Sequence, residues 1–218
     1  FCVLSFSFTL LALRFTPLCF SEDIKQPNVA GSFYPVNPKE LSQVIDNFLN
    51  LANPEPLQGE IAVLISPHAG YDYSGQVAAF GYKLIKNKPY KTVIVIGPSH
   101  YYGFSGISVY LEGIFRTPLG DIEIDNEFTQ KLIDKDKEII FDAGAFQKEH
   151  SIEVQLPFLQ KTLTDFKIVP IAMGQCSLST CQKLANLLKE AIAGRKDVLL
   201  VISTDMYHGY DYEECESI

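Results

Sequence analysis

Four runs of branched apolar residues constrain this chain more than anything else in it: "IAVLIS" (61–66), "TVIVIG" (92–97), "KIVPIAM" (167–173) and "VLLVIS" (198–203). None shows the strict apolar–polar alternation of a strand with one wet face. Continuous apolar runs of this length fit strands covered on both faces, as in parallel sheets packed between helices. The segments between them carry helical spacing. "KELSQVIDNFLNLA" (39–52) places Leu41, Val44, Ile45, Phe48 and Leu49 on one face. "GQVAAFGYKLIK" (75–86), "NEFTQKLIDK" (126–135) and "LSTCQKLANLLKEAIAG" (178–194) read as helices, the last with Gly194 as its stop. "HSIEVQLPFLQKTL" (150–163) predicts a further helix that Pro157 should kink. "GISVYLEGIFRTPLGDIEID" (106–125) predicts two extended segments, and "EIIF" (138–141) a short strand. Alternating strands and helices predict an α/β fold, a three-layer αβα sandwich with a mainly parallel central sheet.

Composition narrows the functional classes. The chain has 218 residues, 47% of them apolar and 20% charged, which excludes a disordered or multi-span membrane protein. Its 18 Lys and Arg against 26 Asp and Glu give a net charge of −8 with no basic cluster, so nucleic acid is not an expected partner. Five scattered cysteines, an odd number, do not form a disulfide framework, and Cys176 and Cys181 have no second pair to complete a zinc knuckle.

Residues 1–21 stand apart. "FCVLSFSFTLLAL" is too short to span a bilayer and reads either as the apolar part of a secretory signal or anchor or as spurious upstream sequence. A real leader implies an exported or membrane-anchored protein, and its absence a cytoplasmic one. Residues 22–218 are expected to form a single α/β domain.

Histidine follows the strand runs at a short offset. "LIS-PH" yields His68, "VIG-PSH" yields His100, and "VIS-TDMYH" yields Asp205 and His208. In open α/β sheets, ligands bind beyond the carboxyl ends of the strands. Neighbouring strands lie about 4.8 Å apart, so equivalent end positions become neighbours in space. Two neutral imidazoles there suit a metal such as iron(II), zinc or copper, and two His with one carboxylate form the facial pattern of non-haem iron oxygenases. Asp205 and His208, at i and i+3, can face one pocket as a proton-handling pair. His150, after Glu149 at the start of a helical pattern, reads as a cap or as a group beside the metal or substrate. Tyr71, Tyr73, Tyr101 and Tyr102 either line a pocket for a flat or apolar ligand or pack against the strand ends.

Six motifs occur in order: "VAGSFYP" (29–35), "ISPHAGYDYSG" (65–75), "GPSHYYG" (97–103), "TPLGDIEID" (117–125), "EHSIEVQLPFLQ" (149–160) and "STDMYHGY" (203–210). With them the chain resembles the Memo family, also called AmmeMemoRadiSam system protein B, from about Asn28 onward. The resemblance implies a fold similar to class III extradiol ring-cleavage dioxygenases. In it His68 and His100 match the two metal-binding histidines, Asp205 and His208 an Asp-x-x-His pair, and Glu149 and His150 a Glu-His-Ser motif. The family's metal-site cysteine is expected beyond residue 218, and Cys215 is too close to His208 for that role. AMMECR-type and radical-SAM proteins are the implied partners. Fold does not transfer activity. Three functions therefore stay open: a non-haem iron protein with dioxygenase-like chemistry, a binding module for a small molecule, peptide or partner protein, and a zinc-dependent hydrolase.

Overall fold

The computed structural model describes residues 24–205, 207–209 and 211–217; the apolar stretch at residues 1–21, with the expected signal or anchor, lies outside them. In chain order the elements are β1 (Ile24–Lys25), α1 (Pro38–Leu51), β2 (Val63–Ser66), α2 (Tyr71–Ile85), β3 (Thr92–Pro98), β4 (Ile107–Val109), β5 (Ile114–Thr117) and β6 (Gly120–Glu123). There follow α3 (Asn126–Lys135), β7 (Ile139–Ile140), α4 (Gly144–Gln147), a 3-10 turn (Glu153–Gln155), α5 (Leu156–Thr162), β8 (Lys167–Met173), α6 (Leu178–Ala191), β9 (Val198–Ser203) and α7 (Tyr212–Ser217). The main sheet has six strands in the order β2-β9-β3-β8-β4-β7, and β1, β5 and β6 form a smaller one. All pairings in the main sheet are parallel except β4 with β8. A bridge between Ile124 and Ile168 ties the two sheets together.

Local chemistry sets the helix starts. Asn37 Oδ1 accepts from the N–H groups of Lys39 and Glu40, with Pro38 in the first turn. Asp125 accepts from Phe128 N, and Ser177 from Thr180 N. Each satisfies a donor that the helix itself leaves unpaired. The apolar faces of α1, α2 and α5 (Leu41, Ile45, Ala79, Tyr82, Phe158, Leu159) pack on one side of the sheet. Those of α3 and α6 (Phe128, Leu132, Leu184, Leu188) pack on the other. The result is an αβα sandwich with a mixed, mainly parallel sheet. Among the described residues, no helix is long and apolar enough to cross a membrane.

Four local expectations are corrected. Helix α2 begins at Tyr71, four residues before Gly75, because the turn after His68 runs straight into it; Ser74 Oγ bonds Ala69 O across that first turn. Pro157 does not kink a long helix. It sits in the first turn of α5, where a missing N–H costs nothing, behind a separate 3-10 turn. Residues 106–125 form three strands, not two, since a tight hairpin with Gly120 at φ +128° splits the second segment into β5 and β6. Strand β2 is not covered on both faces: among the described residues it is an edge strand, and Val63 and Ile65 are 50% and 64% exposed.

Packing close to the strand ends is tight at Gly97. A Cβ there would overlap Ser151 Oγ, whose hydroxyl donates to Pro98 O at 2.8 Å. Gly97→Ala is expected to destabilise the fold by about 1–3 kcal/mol, the usual cost of overpacking, read as a lower urea midpoint.

Candidate metal centre

Strand order brings the sequence motifs together. His68 follows β2, His100 follows β3, and Asp205 follows β9, which lies between them. The imidazoles of His68 and His100 meet with ring centroids 5.1 Å apart and planes at 76°. His150 joins them from the segment after α4. Its ring stacks on His100 at 4.7 Å and 19°, and stands 5.8 Å from His68 at 84°. Each of the three offers a ring nitrogen, and these nitrogens lie within 4.8 Å of one another. Three imidazoles so placed could hold a metal ion of the iron, zinc or copper type.

Glu149 organises the centre. Its carboxylate accepts from His100 N (2.5 Å), His100 Nδ1 (2.9 Å), His150 N (2.8 Å) and Ser151 N (2.7 Å). Burial pushes its pKa up, but the donors from His100 and Ser151 outweigh burial and hold it below the ordinary value. The cap of the turn is therefore Glu149, not His150. The Nδ1–H of His100 is committed to Glu149, which turns its Nε2 lone pair outward, as in histidines prepared for a metal. His150 Nδ1 is buried without a hydrogen-bond partner, with Glu149 Oε1 3.6 Å away. Burial is also the leading cause that lowers the pKa of His68 and His150, so both favour the neutral, ligating form.

Asp205 lies beside this group. Its Oδ1 accepts from His68 N at 3.1 Å, and its Oδ2 accepts from His208 Nδ1 at 3.0 Å and faces His68 Nε2 at 3.7 Å. Burial raises the Asp205 pKa, but the bonds from His208 and His68 N more than offset it, so the carboxylate stays ionised. The His208 side chain is 83% exposed, on the solvent side of Asp205.

The tyrosines divide. Tyr71 is buried in the core: its hydroxyl donates to Val154 O, and its ring packs on Tyr34 and Phe158. Tyr73 is exposed. Tyr101 is also exposed, with its ring 5.7 Å from His150 and 6.2 Å from His100. Tyr102 packs on Phe104. Phe33, which the sequence did not flag, stands edge-on to His150 at 4.8 Å. It is held by Tyr71 N donating to Phe33 O. Its place in the "VAGSFYP" motif was the available signal.

The pattern of the Memo-like protein family matches residues 25–217. The chain belongs to the Memo family. A MEMO1 family protein of Methanobrevibacter smithii is 38% identical over 207 residues, covering 89% of this chain and 73% of the relative. One from Archaeoglobus fulgidus is 38% identical over 200 residues, covering 89% and 72%. One from Thermotoga neapolitana is 38% identical over 199 residues, covering 86% and 72%. The Memo-family match thus takes in every strand that carries a residue of the centre.

Proposed function

We propose that this Memo-family chain is a non-haem metal protein that holds iron(II) through His68 and His100 and carries out dioxygenase-like chemistry on a small organic molecule. The observation that supports it is the near-perpendicular approach of those two imidazoles, 5.1 Å apart. An imidazole donates its lone pair in the plane of the ring. Rings at 76° can aim two lone pairs at one point, and His150, stacked nearly parallel to His100, is less well placed to aim at it as a third donor. His150 is then a neighbour of the ion that faces the ligand, with Tyr101 and Phe33 as apolar walls.

Bound iron(II) would supply the redox capacity for reaction with oxygen. The chain's own groups handle the proton. His208 donates Nδ1–H to ionised Asp205, so its exposed Nε2 is a general base, and Asp205 stabilises the imidazolium that results. Zinc or copper would suit the same donors, and zinc would favour hydrolysis with His208 as the base. Work beside AMMECR-type and radical-SAM proteins is part of this proposal and rests on the family resemblance.

Oxygen uptake by the anaerobically iron-loaded full chain, across a panel of catechols, tests it. Uptake should require iron and fall about 10²–10⁴-fold in His208→Ala, the usual contribution of a general base. Ester or amide hydrolysis with zinc, without oxygen uptake, would replace it by the hydrolase reading. Metal bound with no turnover of either kind would leave a binding module.

A further inference from the structure

Behind His68 lies a buried polar chain. His68 Nδ1 is 3.1 Å from Ser203 Oγ, at the end of β9. Ser203 Oγ donates to Ser151 O at 2.6 Å and accepts from Gln155 Nε2 at 2.8 Å. Gln155 Nε2 also donates to Pro67 O at 2.9 Å, and its Oε1 accepts from Tyr82 OH at 2.7 Å. Ser203, Gln155, Tyr82 and His68 are all buried.

These contacts determine where the protons sit. Pro67 O can only accept, so the Gln155 atom facing it is the amide nitrogen, and the amide cannot be flipped. Ser151 O can only accept, so the single hydroxyl hydrogen of Ser203 points to it. A hydroxyl has one donor and two lone pairs. The donor goes to Ser151, and one lone pair takes the Gln155 hydrogen. The remaining lone pair faces His68 Nδ1, which must therefore carry a hydrogen, and the Ser203 backbone acts on the same ring in the same sense. His68 Nε2 is left with its lone pair pointing toward the centre, where Asp205 Oδ2 waits at 3.7 Å. A lone pair and a carboxylate facing one another with no hydrogen between them favour a cation there.

We infer that Ser203, held by Gln155 and Tyr82, is a positioning residue that locks His68 in the Nδ1–H tautomer. His100 receives the same instruction from a carboxylate, Glu149, so two different devices present Nε2 at both rings. The inference about the tautomer stands on hydrogen bonding alone; its consequence for affinity rests on the metal reading above.

Side-chain ¹⁵N shifts of the metal-free full chain, labelled at histidine and assigned through His68→Gln, report the tautomer directly. His68 is expected as Nδ1–H in the wild-type protein. Ser203→Ala should shift it toward Nε2–H, Ser203→Thr should restore it, and Gln155→Met should give a mixture. Zinc(II) affinity should fall about 10–100-fold in Ser203→Ala and recover in Ser203→Thr, as for other partners of metal-binding histidines. A purely structural role would leave the tautomer unmoved in a folded variant. His68 found as Nε2–H in the wild type overturns the inference even if no variant folds, as does an unchanged tautomer in folded Ser203→Ala. Tautomers that respond as expected in a chain that binds no zinc would sink the metal reading and leave this one standing.

Discussion

Replacing His68 and His100 together by alanine is expected to abolish stoichiometric metal binding, with metal content falling from about one ion per chain to background. The two rings contribute the in-plane donors of the proposed site, and each has its Nδ1 engaged elsewhere, by Ser203 and by Glu149. Loss of an outer partner of such a histidine already costs about 10–100-fold in affinity. Loss of both donors should exceed that by a wide margin, because His150 alone, stacked parallel to the space left by His100, has no second imidazole to share an ion with. Elemental analysis after anaerobic loading with iron(II) checks it. Unchanged metal content in the double variant would end the assignment. The fold should survive, since neither ring belongs to the apolar core and alanine keeps the backbone bonds from His68 N to Asp205 and from His100 N to Glu149.

Glu149→Ala should be the most destabilising substitution around the centre. The wild-type carboxylate is 5% exposed and takes three backbone N–H groups as well as the His100 ring. Alanine leaves those donors unpaired in a site with little access for water. Each buried orphan costs about 1–3 kcal/mol, and removing one partner from a buried charged network about 3–5 kcal/mol. A loss of about 3–5 kcal/mol is expected, a large share of the 5–15 kcal/mol typical of a folded domain. Glutamine should not rescue fully, because its NH₂ group would meet donors where an oxygen now accepts. Urea unfolding of the two variants decides it. A loss below about 1 kcal/mol in Glu149→Ala would mean that this carboxylate does not organise the loop.

Much of the architecture was legible because burial writes itself into apolar runs. β8, β9 and α3 have the same bounds in sequence and structure, at 167–173, 198–203 and 126–135. Where the reading of the apolar runs misled, at β2, the cause was position in the sheet. "IAVLIS" is as apolar as its neighbours, yet β2 lies at the edge, and sequence alone does not say which strand is outermost. The site was half legible. His68, His100 and Asp205 share a rule, the offset from a strand end, and strand order turned that rule into proximity. His150 obeys no such rule, since it comes from a loop and is brought in because Glu149 bonds both its backbone and that of His100. Ser203 and Gln155 were hidden for another reason. A serine ending a strand and a glutamine inside "IEVQLPFL" look ordinary, and only complete hydrogen-bond accounting reveals what they do. The one clue was polarity at positions that are otherwise apolar.

The place of β9 between β2 and β3 also governs when the centre can come into being. Among the described residues β2 forms its ladder with β9 alone, so nothing in this sheet joins it to β3 until residues 198–203 have been synthesised and placed between the two. The rings of His68 and His100 wait apart until that later segment has been made, and contacts this distant in the chain form slowly. A nascent chain that has emerged only as far as β8 would carry both imidazoles and still lack the centre.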